Sequence, residues 1–247
     1  MSSQTKLLGV FAALLFPLFC MSADKISPEE EKSQKQAAAV ELIGRAMKIA
    51  DEGRTSKSPE LLIAAASMLR KAPPVAEAKD AKYEREDEAG KPVKEPEKLE
   101  QATPAELSDK FLEEAKTLAA ELEKAKKMTA EQTKAVGEIA DMIGKQPLER
   151  GAFGGPHRYQ DWLTPRGTSR VSVPFVKGWG AAVVVRSSFP VRVTVKYGTT
   201  TVFSFQGTVV QINWLPGGGA AKTPTQNFTI SVQNLVNGVN SYQMITN

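Results

Sequence analysis

The sequence predicts an α+β protein in two parts: N-terminal helical hairpins and a C-terminal antiparallel β-sandwich of about seven strands. Three observations carry this expectation. Apolar residues recur every three or four positions up to 146, and every second position from 171 to 245. Charge divides at the same place. Residues 24–150 hold 23 Lys+Arg and 27 Asp+Glu, a net of −4, whereas 151–247 hold 8 basic residues against Asp161 alone, a net of +7. Between them lies QPLERGAFGGP, in which Pro147, Gly151, Gly154, Gly155 and Pro156 interrupt any regular element.

The first element is a processing signal over 1–23. Lys6 supplies the positive start, and Leu7 to Met21 form an apolar stretch of roughly 15 residues, short of the ~20 needed to span a bilayer. Cleavage near Ala23 would leave Asp24 as the new N-terminus; an uncleaved anchor or a lipoprotein at Cys20 are the alternatives. Cys20 is the single cysteine, so the mature chain has no disulfide, thiolate chemistry or Cys-based metal site. These features predict a periplasmic or extracellular protein with no integral membrane segment after cleavage.

Four helices follow in two pairs, over 24–72 and 103–146. Ser27-Pro28-Glu29-Glu30 and Thr103-Pro104-Ala105-Glu106 each combine an N-cap, a proline in the first turn and a capping-box glutamate. Ser58-Pro59-Glu60 and Thr129-Ala130-Glu131-Gln132 are variants of the same start. Gly53, Pro73-Pro74 and Gly144 read as stops. The stripes Val40, Ile43, Met47, Ala50 and Leu61, Leu62, Ala65, Met68, Leu69 predict one buried face each. So do Phe111, Ala115, Leu118, Leu122, Ala125 and Val136, Ile139, Ala140, Ile143. The segment 73–102 between the pairs is charged, proline-punctuated and poor in large apolar residues, which predicts a flexible linker. A second linker covers 147–156.

The β-domain is expected over 157–247. Strand cores are Val171–Phe175, Val183–Val185, Val191–Tyr197, Phe203–Phe205, Val210–Trp214, Phe228–Val232 and Val239–Ile245. Lys177-Gly178, Phe189-Pro190, Gly198, Gly207, the glycines after Pro216 and Asn237-Gly238 read as the turns between them.

Several of these segments carry a family likeness. Gly154-Gly155-Pro156, the strand VSVPF, the Val183–Val185 strand, VRVTVKYG, Trp214-Leu215-Pro216 and the closing FTISVQNLVNGVNSYQMITN together resemble the bacterial pre-peptidase C-terminal-like domain. That resemblance implies a small β-sandwich that is accessory and not itself catalytic, attached to an exported protein. Many members of that family carry Asp-rich turns suited to calcium. The corresponding RSSFPVRVTVKYGTTTV has no carboxylate, so no calcium site and no cofactor are expected.

Catalytic patterns fare poorly. His157, the single histidine, and Asp161 lie near each other in sequence, but no Gly-x-Ser-x-Gly elbow, H-E-x-x-H or dinucleotide fingerprint accompanies them. Gly217-Gly218-Gly219-Ala220-Ala221-Lys222-Thr223 lacks the glycine before lysine and the following helix of a phosphate loop. Binding chemistry is better represented. Trp162 and Trp179, near turns, could stack on sugar rings, while Trp214 alternates with Ile212 and reads as core. Arg158, Arg166 and Arg170, together with Arg186, Arg192 and Lys196, could meet an anionic polymer, although Arg192 and Lys196 also fit the wet face of a strand. The expected partners are an envelope or extracellular protein, or an anionic or polysaccharide surface polymer; nucleic acid is not expected.

Overall fold

A computed structural model describes residues 28–78, 80–94, 102–147, 156–217 and 225–247. The processing signal, the Ser27 cap, most of the boundary stretch around 148–155 and the loop over 218–224 lie outside the described residues. The protein is α+β, with four helices and one eight-stranded sheet that curls into a half-barrel.

The helices are α1 (Pro28–Ser56), α2 (Pro59–Arg70), α3 (Pro104–Lys124) and α4 (Ala130–Gly144). Ser58 accepts from the Leu61 N–H, and Thr103 and Thr129 close full capping boxes with Glu106 and Gln132. The first stop differs from expectation. Gly53 lies inside α1, which runs on to Ser56 and ends on Lys57 in the left-handed region at φ 53°. The Ser58 N–H then donates to Gly53 O at 2.8 Å, and the Lys57 N–H to Arg54 O at 3.4 Å. This is a Schellman motif, and α3 ends the same way: Lys126 has φ 58°, the Lys127 N–H donates to Leu122 O, and the Lys126 N–H donates to Glu123 O. Both hairpins therefore turn on a left-handed lysine followed at once, or within three residues, by the next cap. Gly53 serves packing instead, because a Cβ there would come within 3.2 Å of Leu61 and Leu62.

The strands are β1 (Ala76–Glu77), β2 (Tyr83–Glu86), β3 (His157–Leu163), β4 (Thr168–Val176), β5 (Ala181–Tyr197), β6 (Thr200–Trp214), β7 (Thr225–Asn234) and β8 (Asn240–Thr246). They run in the order β1-β3-β8-β5-β7-β4-β2, with β6 on the other side of β5. Three readings of the sequence change here. The segment 73–102, expected as a linker, contributes β1 and β2, which pair with β3 and β4 at the two ends of the sheet. Its strands are too short and too charged to show a period-2 apolar pattern; long-range pairing makes them. His157–Leu163, which precedes the first expected strand core, is a strand that pairs with β8 along its whole length. Phe189-Pro190 is not a turn but the corner of one long strand.

That corner shapes the sheet. Arg186 pairs with Val209 and Val191 with Gly207, so residues 187–190 of β5 lie opposite Thr208 of β6. The irregularity suits Pro190, which has no N–H to give a ladder. Before it β5 pairs with β8, and after it with β7. One strand thus belongs to both arms of the curl, and its apolar residues serve two cores. Val183, Val185, Val191, Val193 and Val195 face the concave core with residues of β3, β4, β7 and β8. Ala182, Val184 and Ile245 join the core built by the helices on the convex side.

α1 makes that second contact. Val40, Ile43, Met47 and Ala50 are all at most 1% exposed, as their spacing predicts. Gly44 sits against the sheet so closely that a Cβ there would lie 2.6 Å from Val184 Cγ2. No helix among the described residues is long and apolar enough to cross a membrane.

Candidate functional site

Three polar features distinguish the sheet and its junction with the helices. The first is a buried network. Asp161 on β3 is 4% exposed and accepts from Arg85 Nε at 2.8 and 3.0 Å. It also accepts from the Ser169 hydroxyl of β4, which in turn meets the Tyr242 hydroxyl of β8 at 3.0 Å. Arg85 lies 5.1 Å above the Tyr83 ring, whose hydroxyl accepts from the Gln160 N–H at 3.0 Å. Burial pushes Tyr83 up to about 12, and burial followed by the Asp161 charge pushes Tyr242 well above the ordinary phenol range. Every group here ties one strand to another, and β2 is anchored through it.

The network also bears on catalysis. Ser169 is fully buried, which withholds it from any substrate. His157 lies four residues before Asp161 on the same strand, about 13 Å away at ~3.3 Å per residue, too far for an orienting hydrogen bond.

The second feature is a groove of about 600 Å³ between the first turns of α1 and the start of β3. Glu29, Lys32 and Gln36 form one bank, and His157, Tyr159 and Trp179 the other, with Val173–Val176 of β4 beneath. The third is a cavity of about 240 Å³ between α3 and the β5–β8 pair, lined by Leu107, Lys110, Phe111, Arg186, Ser188 and Ser241 among others.

The residues singled out from the sequence do not converge. Trp179 lines the groove. Trp162, five residues along β3 from His157, sits against Val93, Thr164 and Thr168 with its indole N–H buried and without an acceptor. The two tryptophans therefore offer no common platform. Arg158 is half-buried on β3, near Glu106. Arg166 holds the next turn, donating to Asn237 Oδ1 at 2.8 Å. Arg170 pairs with Glu86 at 2.6 Å, and this contact lowers the Glu86 carboxyl below its usual range. Trp214 packs against Phe175, Phe203 and Phe228, as its alternation implied.

Arg186 is the functional candidate whose setting the sequence did not reveal. It follows a valine run like any wet strand residue, and nothing local announces that Phe111 will stand over it. No protein-family model and no curated protein matches the chain.

Proposed function

We propose that this chain is an exported, non-catalytic protein in which a helical contact layer backs an accessory binding module of β-sandwich type, akin to the pre-peptidase C-terminal-like domain. The observation that carries the reading is the groove at the α1–β3 seam, where Trp179, Tyr159 and His157 face polar side chains of a helix. Binding sites are concave and mix apolar walls with a few placed polar groups. The sandwich part of the reading is supported by the concave core, in which valines of β4 and β7 pack with Tyr242 and Met244 of β8 across the curl. The non-catalytic part is supported by Ser169, Asp161 and Tyr242, all committed to one another in the interior. The natural occupant of the groove is an envelope or extracellular protein segment.

A second reading, carbohydrate binding, is favoured by Trp179 alone, since an indole at a groove wall can stack on a sugar face. The test uses the full chain on a glycan array, beside in-cell cross-linking from positions 32 and 36 on α1. Glycan binding that is lost in Trp179→Ala and kept in Trp162→Ala selects the second reading. A defined envelope protein captured through α1, without glycan binding, supports the first. Turnover of a substrate by the purified protein refutes both.

A further inference from the structure

The cavity beneath α3 lies away from the groove and has a different chemistry. One wall is formed by Leu107 and Phe111 of α3, with Glu114 of the same helix also lining the cavity. The other carries Arg186, Ser187 and Ser188 of β5 and Ser241 and Gln243 of β8, and Lys110 stands at its side. Four charged groups surround Arg186. Arg54 of α1 donates to Glu114 through Nε at 2.9 Å and through its Nη2 at 3.1 Å, and its Nη1 donates to Asp51 at 2.9 Å. The second Asp51 oxygen accepts from the Thr208 hydroxyl at 3.1 Å. Both nearby carboxylates are thus engaged by other donors. Lys110 adds a further positive charge.

Arg186 has no hydrogen bond to any of them. Its guanidinium stands 6.0 Å over the Phe111 ring, whose other cation is Arg54 at 5.0 Å. A guanidinium offers five N–H donors in a planar fork, and a ring contact engages only its face. Burial first, then the Arg54 charge, draw its pKa below the ordinary arginine value, with Asp51 and Glu114 partly opposing. An anion in the cavity would supply the missing acceptor. Ser188 and Ser241 provide neutral hydroxyl donors on the same wall.

We propose that the cavity between α3 and the β5–β8 pair binds a small organic anion, its carboxylate or phosphate head on Arg186 and Lys110 and its apolar body on Leu107 and Phe111. The volume suits a molecule of about eight heavy atoms, taking a water's share of liquid as ~30 Å³. The site takes a free small molecule or the end group of a longer one. Charge-assisted bonds in a half-buried site supply the affinity, and Leu107 and Phe111 select against bare inorganic ions.

Calorimetric titration of the full chain with sodium hexanoate and with inorganic phosphate, each at fixed ionic strength against chloride, tests this. The expected result is saturable binding of hexanoate, tighter than that of inorganic phosphate, weakened tenfold or more in Arg186→Gln and in Ser241→Val, and unchanged in Trp179→Ala; phosphate binding without hexanoate binding overturns the apolar half of the site. If Arg186→Gln fails to fold, Ser241→Val decides, because it narrows the cavity without removing a charge. Absence of saturable binding, or equal binding in the wild type and Ser241→Val, overturns the proposal. The Trp179→Ala arm keeps this result separate from the groove: anion binding without any groove ligand leaves the cavity site standing.

Discussion

Gly44 decides how closely helix and sheet can approach. In Gly44→Ala the new Cβ would lie 2.6 Å from Val184 Cγ2 and 2.9 Å from Gln211 Oε1. Carbon atoms in good contact stand ~3.5–4.0 Å apart, so the first overlap is about 1 Å or more. Gln211 can swing aside. Val184 is 1% exposed, β-branched and held between Gln211 of β6 and Ile245 of β8, so it cannot. Overpacking of this kind costs about 1–3 kcal/mol. Against it stands the helix preference for alanine over glycine, about 1 kcal/mol. Gly137, inside α4, isolates that second effect, since a Cβ there meets nothing within 4 Å. The difference between Gly44→Ala and Gly137→Ala cancels the helix preference and leaves the clash, about 1–3 kcal/mol. For a chain of this size that corresponds to a Tm gap of roughly 2–12 °C. Urea unfolding followed by circular dichroism measures it, with the slope checked for constancy. Val184→Ala in the Gly44→Ala background should recover part of the loss, because it removes the clashing methyl. Equal gains in stability for Gly44→Ala and Gly137→Ala would show that α1 does not press on β5 as described, and the shared core would have to be abandoned.

Three other outcomes follow from the sheet. Asp161→Asn takes the carboxylate from Arg85 in a buried setting and should cost about 3–5 kcal/mol in the same urea assay. A loss under 1 kcal/mol would make the network incidental. The phenols give a pH dependence: with Tyr83 raised from 10.0 to about 12 and Tyr242 also raised, the native state holds protons that the unfolded state releases. Stability is therefore unaffected by these groups below pH 10 and falls as pH rises from 10 to 12. Melting scans over that range should show it, with a shallower fall in Tyr83→Phe; a flat profile counts against the buried phenols. Deleting 239–247 removes β8, which lies between β3 and β5, and should give insoluble protein. A soluble product that unfolds cooperatively would contradict the strand order.

The helices were legible because their signals are local. Thr103 with Glu106 and Thr129 with Gln132 are three residues apart, and the Val40–Ala50 stripe lies within three turns of one helix. The lysine-terminated Schellman motifs were not legible, since Lys57 and Lys126 carry no compositional mark and Gly53 offers a false one. Strands β4 and β7 showed their period because one face of each is core, and β8 showed it although both its faces are buried, Tyr242 and Met244 in one core and Ile245 in the other. β1 and β2 did not: Glu84, Arg85 and Glu86 of β2 look like a solvated run, and the ion-pair partners of Arg85 and Glu86, Asp161 and Arg170, lie far along the chain. The candidate sites follow the same rule. Trp179 could be named from its residue type, but the groove needs α1 beside β3. Arg186 could be named for its charge, but its meaning depends on Phe111, 75 positions earlier.

The charge asymmetry between the halves has the same origin and a different meaning from the one composition suggests. Opposite net charges on two stretches are compatible with separate domains, and equally with two surfaces that meet. Here the acids of the first half reach the second: Glu86 pairs with Arg170, Asp51 accepts from Thr208, and Glu41 accepts from Asn213 at 2.9 Å. In return the second half's single acid, Asp161, takes its cation from Arg85 of the first. Only the α1 bonds, from Asp51 and Glu41, accompany the apolar contact made by Gly44, Val184, Ala182 and Ile245. The acids of α1 that reach the sheet meet neutral hydroxyl and amide donors, so the helical layer and the curled sheet are joined by shape and hydrogen bonds, while the opposite charges pair within the sheet, through β2. The −4 and +7 describe the two sides of one interface together with what is left outside it. Arg186 belongs to that remainder: it lies at the junction, lines the cavity beneath α3 and stands near carboxylates that Arg54 already engages.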